Sequence, residues 1–209
     1  MSGKGQPIHN GIRNFIRSNY KMARLNPVNR EIADRKTAQM LSGVEKKFGI
    51  VPNMIATMAQ SNAVASAYLG FSAALSGGQL PAPVREQIAL TVGQQNECDY
   101  CLAAHSAIGT SVGLDQATLI AARQGKASDA KTDAILKFAS RLLATHGKVD
   151  DEDVNSLTNQ GLSEGEIAEV IANVVLNIFT NYFNHVAETE IDFPEPAELP
   201  CQLACACGS

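Results

Sequence analysis

Residues 163–188 constrain this chain more than any other stretch. Ser163-Glu164-Gly165-Glu166 has the form of a capping box: a Ser followed three residues later by a Glu satisfies two amide donors at a helix start. The run that follows is apolar on nearly every side. Its exceptions, Glu169, Asn173, Asn177, Asn181, Asn184 and Glu188, recur every three or four residues and therefore form one narrow stripe. A helix of this kind, running to about Glu188, is expected at the centre of a bundle, its apolar sides on neighbouring helices or on another subunit. The stripe has two readings. It is a solvated edge, in keeping with the polarity of exposed helix faces, or a ladder of buried Asn at an oligomer interface.

The same helical period governs the rest. Pro27 suits a helix start, and the pattern from there to Phe48 predicts a helix ending at Gly49. Pro52-Asn53 opens a short helix, and 62–75 is Ala-rich and closed by Gly77-Gly78. Further helices are predicted over 81–95, from near Asn96 to about Val112, over 115–124 and over 129–145. The last of these turns Ile135, Phe138, Leu142 and Leu143 inward. No stretch alternates with period two, so the fold class is all-α. Residues 1–26 lack periodicity and read as an N-terminal arm, suited to docking on a partner subunit. Residues 27–194 form the helical domain, and 195–209 a flexible Cys-containing tail.

The formal net charge is −4, with Lys and Arg scattered and no basic patch interleaved with aromatics. That predicts no nucleic-acid partner. The longest apolar run, 167–179, is broken by Glu169, Asn173 and Asn177 and is too short to span a bilayer. The first residues lack the apolar core of a secretory signal. The expectation is a cytoplasmic protein with no membrane contact. There, a close cysteine pair points to redox or metal chemistry rather than a structural staple.

The chain has such a pair. Glu86 is followed by Cys98, Cys101 and His105. On one helix, positions 98, 101 and 105 fall within an arc of about 60°, so two thiols and an imidazole share a face. Asn96 or Glu97 is placed to cap that helix, putting both cysteines near its first turns. There, free amides and the helix dipole favour a thiolate. His105 is one turn beyond Cys101, in range to take its proton, which nominates Cys101 as the attacking sulfur and Cys98 as the resolving one. Nearness to the helix start favours Cys98 instead; the base contact weighs more.

Glu86 shares a face with Ala82, Ala89, Leu90 and Gly93. A carboxylate there is expected to be buried, with its pKa raised toward that of a proton relay. Gly93 would let the Cys-bearing helix approach, so that Glu86 could orient His105. Blander readings stand beside these: Glu86 as a solvated partner of a neighbouring Arg or Lys, His105 as packing. In a third, Cys98, Cys101, His105 and Glu86 together form a tetrahedral zinc site. Cys201, Cys205 and Cys207 read as incidental thiols of a terminus, with soft-metal binding or a mobile exchange relay as alternatives.

This spacing of Glu, Cys, Cys and His resembles the AhpD-like (alkyl hydroperoxide reductase D-like) branch of the carboxymuconolactone decarboxylase superfamily, in its peroxidase-related subgroup. The likeness takes in FGIVPNMIATMAQSNAVASAYLGFSAAL (48–75) and NHVAETEIDFP (184–194) and extends from about residue 45 to 194. It implies an AhpD-like helical bundle assembled as a homo-oligomer, trimer or hexamer. It also implies a thiol-dependent peroxidase or disulfide reductase that needs no metal, flavin or haem. The partners implied are a hydroperoxide or protein disulfide substrate and an external dithiol reductant. In such enzymes the second cysteine attacks, the first resolves, and the Glu and His relay protons; here those are Cys101, Cys98, Glu86 and His105. Well-known members carry a second His two residues after the first cysteine, where this chain has Tyr100, which on an ideal wheel points away from the thiols. That departure bears on substrate and rate more than on chemistry. A carboxymuconolactone decarboxylase-type lyase, which needs no vicinal thiols, and a non-enzymatic oligomer binding zinc or a partner are the alternatives.

Overall fold

The computed structural model describes residues 23–199. Among them nine helices and no strand form: α1 (Arg35–Phe48), α2 (Asn53–Met58), α3 (Asn62–Ser76), α4 (Ala82–Gln95), α5 (Asp99–Ser111), α6 (Gln116–Arg123), α7 (Ala130–Thr145), α8 (Asp151–Thr158) and α9 (Glu164–Ala187). Side-chain caps set most of the starts. Asp115, Asp129 and Ser163 each accept a backbone amide of the first turn, and Ser163 with Glu166 completes the expected capping box. None of the described helices is long and apolar enough to cross a membrane.

Away from the cysteines, one helix start and one whole helix differ from expectation. α1 starts at Arg35, not Pro27, because Asp34 takes the amides of Lys36 and Thr37 at 2.9 and 3.1 Å. Upstream, the amides of Arg24 and Leu25 donate to the Ala187 carbonyl and that of Val28 to Ala56, so the segment is committed to other elements. The described end of the arm thus binds its own chain; the rest lies outside the described residues. The other difference is α8, which is short and buries only Leu157, leaving almost no apolar period to read. Its Asp150–Asp153 capping box was the available signal.

The central helix is α4 rather than α9. Gln87 through Gly93 are all buried, and α4 packs against α5, α6, α7 and α9. One core gathers Ile88, Leu90 and Val92 with Leu136, Phe138, Val170 and Val174. A fully buried side chain of this kind is worth roughly 1.5–3 kcal/mol over an exposed one. A second core, under α1 and α2, gathers Leu41, Met54 and Met58 with Cys98, Tyr100 and Cys101. The thiols are therefore set in the wall of an apolar cluster.

The polar stripe of α9 faces inward. Asn173, Asn177, Asn181 and Asn184 are all buried, which overturns the solvated-edge reading; they lie against the chain's own α4 and α5 side. Asn173 and Asn177 satisfy their amides on carbonyls one turn back, at 2.7 and 2.8 Å, which makes their burial affordable. The apolar flank is instead open: Val175 is 50% exposed and Val186 63%.

After α9 the chain returns across α2. The Asp192 carboxylate accepts the Asn53 amide at 2.8 Å, supplying from a distance the cap that Pro52 lacks. Phe193 then stands edge-on to Tyr100, ring centroids 5.7 Å apart. Arg123 Nη1 donates to the Ala197 carbonyl; Cys201, Cys205 and Cys207 lie outside the described residues.

Candidate active site

The turn between α4 and α5 places the two cysteines. Glu97 has φ 55°, a left-handed conformation that costs a residue with a Cβ about 1–2 kcal/mol. It swings the chain so that Cys98 itself, rather than Asn96 or Glu97, caps α5. The Cys98 amide donates to the Gly93 carbonyl at 2.9 Å, and Cys98 Sγ accepts the Cys101 amide at 3.4 Å. Both cysteines are free thiols and buried. Close approach of the helices does not depend on Gly93, where a Cβ would stand an ordinary 3.6 Å from Cys101 Cβ. It is needed at Gly109, where a Cβ would fall 2.7 Å from Leu119 Cδ2.

The two sulfurs occupy different surroundings. Both are buried, at 1% and 3% exposure for Cys98 and Cys101, but Cys101 forms part of the wall of a cavity of about 530 Å³ that Cys98 does not line. A hydrogen bond from the Cys98 thiol holds the Cys101 pKa down. Burial opposes it, and the charge on His105 and the Asn184 and Asn181 amides reinforce it, leaving the value lowered to about 7. Asn184 Nδ2 lies 3.3 Å from Cys101 Sγ. Asn181 is anchored through its carbonyl oxygen by Asn96 Nδ2 at 2.8 Å. Cys98 is pushed well up, first by its hydrogen bond to the Cys101 sulfur and then by burial. The two sulfurs titrate as a pair, with the charge favoured on Cys101, the sulfur that the Asn184 amide reaches.

Glu86 and His105 come together across α4 and α5, with Oε2 and Nδ1 2.7 Å apart and side chains 15% and 22% exposed. Glu86 is therefore paired with the imidazole rather than with a neighbouring Arg or Lys. Burial is the largest single influence on His105 and lowers its pKa. The charge and hydrogen bond of Glu86, with the charge on Cys101, outweigh it and leave the imidazole raised. The arrangement is a carboxyl group, an imidazole and a sulfur in sequence along two helices. Among the described residues, no group of three or more His, Cys, Asp or Glu is arranged to hold a metal ion.

Tyr100 is part of the wall of the site. It lines the same cavity as Cys101, its hydroxyl accepting the Met54 amide at 3.2 Å. Burial pushes its phenol far up, so it is a wall and not a proton shuttle near neutral pH. Tyr68 also lines the cavity, its pKa raised to about 12, chiefly by burial. The residues that sequence reasoning missed are Asn184 and Asn181. Their three-to-four-residue spacing was visible, but which way the stripe faced was not.

With the fold and site in place, comparisons with known proteins give a consistent class. The AhpD core from Ralstonia eutropha JMP134, an uncharacterized peroxidase-related protein, superimposes with a TM-score of 0.76 at 21% identity over 83% of this chain and 94% of that one. A peroxidase-related protein from Silicibacter sp. TM1040 gives 0.73 at 22% identity over 82% and 94%. A cysteine-to-alanine variant of the debrominase Bmp8, in complex with 2,3,4-tribromopyrrole, gives 0.69 at 22% identity over 82% and 93%. These likenesses define the fold as AhpD-like. No curated protein matches the chain. The carboxymuconolactone decarboxylase family model matches residues 62–145 of this chain.

Proposed function

We propose that this protein is a thiol-dependent peroxidase or disulfide reductase in which Cys101 attacks and Cys98 resolves. The observation that carries the reading is the asymmetry of the pair. The sulfur with the lowered pKa is the one on the cavity wall, and its neighbour waits behind it as a thiol. Thiolate is the nucleophilic form of cysteine, and a value near 7 leaves much of it ionised without sacrificing nucleophilicity.

The reaction balances with these groups. The Cys101 thiolate attacks the terminal oxygen of a hydroperoxide, the O–O bond breaks, and Cys101 becomes a sulfenic acid. His105, charged through Glu86, gives the departing alkoxide its proton. The Cys98 thiol then condenses with the sulfenic acid, forming a Cys98–Cys101 disulfide and releasing water. An external dithiol reduces that disulfide by exchange and is itself oxidised. With a protein disulfide as substrate, the same thiolate attacks sulfur instead of oxygen. The protein works as a homo-oligomer, trimer or hexamer, an assembly that the open apolar flank of α9 supports.

The test is hydroperoxide consumption with a dithiol reductant by the native protein, Cys101→Ser and Cys98→Ser. Cys101→Ser abolishes turnover. With the dithiol left out, Cys98→Ser stops after one equivalent, with a sulfenic acid that dimedone traps on Cys101. Equal rates for native protein and Cys101→Ser would remove the reading. A lactone decarboxylase activity that survives loss of both thiols would replace it.

A further inference from the structure

The cavity that Cys101 lines also contains a cation with no partner among the described residues. Arg85 precedes Glu86 on α4, is half-buried and lines the same cavity. Its Nε is buried with no hydrogen-bond partner, and among the described residues no carboxylate pairs with it. Its sequence neighbour Glu86 is already spent on His105 at 2.7 Å. A guanidinium stays charged at any pH a protein meets. Leaving one of its N–H groups buried and unpaired is costly, and a native structure that does so requires an explanation.

The rest of the lining says what the explanation is. Met54, Ile55, Ala89, Leu176 and Phe193 make the wall predominantly apolar. Lys47, the other Lys or Arg side chain at this cavity, is exposed, with its ammonium 5.3 Å from the Phe48 ring centroid, at the rim; His105 is already paired with Glu86. A ligand that matches has an apolar body and a single negative charge. The planar fork of Arg suits a carboxylate, which accepts two parallel N–H bonds. A phosphate monoester would bring more charge than one buried cation balances.

We infer that Arg85 is the anchor for a carboxylate, and that the site takes monocarboxylates with an apolar chain, held with the reactive end toward Cys101. As substrates these are carboxylate-bearing alkyl hydroperoxides; that clause rests on the peroxidase reading, whereas the anchor itself does not. Arg85 touches the substrate far from the bond that breaks, so it sets which molecule binds rather than how the oxygen leaves.

Two measurements test it. Calorimetric titration of the reduced protein compares decanoate with decanol, with no turnover involved. Decanoate binds about tenfold tighter or better, as a charge-assisted pair should. The preference vanishes in Arg85→Gln and is partly kept in Arg85→Lys, which retains the charge and loses the fork. In the kinetic arm, kcat/KM for a carboxylate-bearing alkyl hydroperoxide is divided by that for its methyl ester. The ratio, about ten in the native protein, falls to about one in Arg85→Gln. Equal affinities for decanoate and decanol, or a preference unchanged in Arg85→Gln, overturns the inference. So does an Arg85→Gln protein that dissociates into subunits with its preference intact, since the guanidinium would then serve an interface. A carboxylate preference in binding without turnover of any hydroperoxide would sink the peroxidase reading and leave the anchor standing.

Discussion

Asn184 and Cys101 are 83 residues apart in sequence and touch, the amide Nδ2 of one 3.3 Å from the sulfur of the other. The contact ties the last helix to the Cys-bearing one at the atom where chemistry would occur. An amide donor does little for a neutral thiol and much for a thiolate. Asn184 therefore biases Cys101 toward its charged form without supplying any charge of its own.

Replacing Asn184 by Leu keeps the branched outline and removes the donor. Hydrogen bonds to charged groups are worth about 1.5–3 kcal/mol, which corresponds to about one to two pH units. The measurement is the pH dependence of iodoacetamide labelling of the Cys101 peptide. The native curve should turn near pH 7 and that of Asn184→Leu at least about one unit higher. Coincident curves would show that the amide does not hold the charge.

The Glu86–His105 pair makes a second, independent prediction. Its His105 pKa is raised, so the folded state binds that proton more tightly than the unfolded chain does. The pair's contribution to stability is fully present below the ordinary His value of about 6.5 and is lost as pH rises through the raised one. Cys101 has the opposite sign: its contribution is present above the ordinary thiol value of about 8.5 and is lost as pH falls through about 7. In Glu86→Gln the raising influence of the carboxylate charge goes and burial remains. The His105 ring, followed by NMR, should then titrate below its native midpoint, and the loss of stability assigned to it should move to lower pH. A midpoint that stays in place would mean that the 2.7 Å contact is not an ion pair in solution.

The sequence carried the all-α class because helical period and caps are local properties. It also carried the nearness of Cys98, Cys101 and His105, since the eight residues from 98 to 105 are the cap and first turns of one helix. What it could not carry was anything set by burial. The Asn stripe of α9 looks like a solvated edge by polarity alone; only the packing of α4 and α5 against it shows that Asn181 and Asn184 face the thiols. The cavity-wall position of Tyr100 was not legible because it depends on the Met54 amide and on Phe193, which the segment after α9 brings against its ring. Pro27 has the right conformational preference for a helix start, but Asp34 outcompetes it by offering an acceptor to two amides.

Two glycines that look alike on helices should behave differently. Gly→Ala within a helix gains about 1 kcal/mol from propensity, provided the methyl fits. At Gly93 it fits, with its nearest neighbours 3.6 Å away. At Gly109 it meets Leu119 Cδ2 at 2.7 Å and Leu114 Cδ1 at 3.2 Å, and overpacking costs about 1–3 kcal/mol. Urea unfolding should therefore place Gly93→Ala above the native protein and Gly109→Ala below Gly93→Ala by at least about 1 kcal/mol. The reverse order would mean that Leu119 moves freely and that the α5–α6 contact is not closely packed.

The outer flank of α9 is the remaining departure from a well-covered fold. Ile171, Val175, Phe179, Tyr182 and Val186 are 41, 50, 40, 58 and 63% exposed, and their three-to-four-residue spacing makes them one continuous stripe along the helix. Contiguous exposed apolar surface of this kind marks an interaction site. A second copy of the chain is the occupant that agrees with the homo-oligomer proposed above. Val175→Lys and Val186→Glu each place a charge in the stripe without touching the buried Asn side. Light scattering should give the native protein a mass that is a multiple of the 22.2 kDa chain and shift both variants toward a single chain. Because a charge stranded in an apolar interface is strongly unfavourable, the shift should be large at micromolar concentration. A native protein that already runs as one chain would assign the stripe to some other partner.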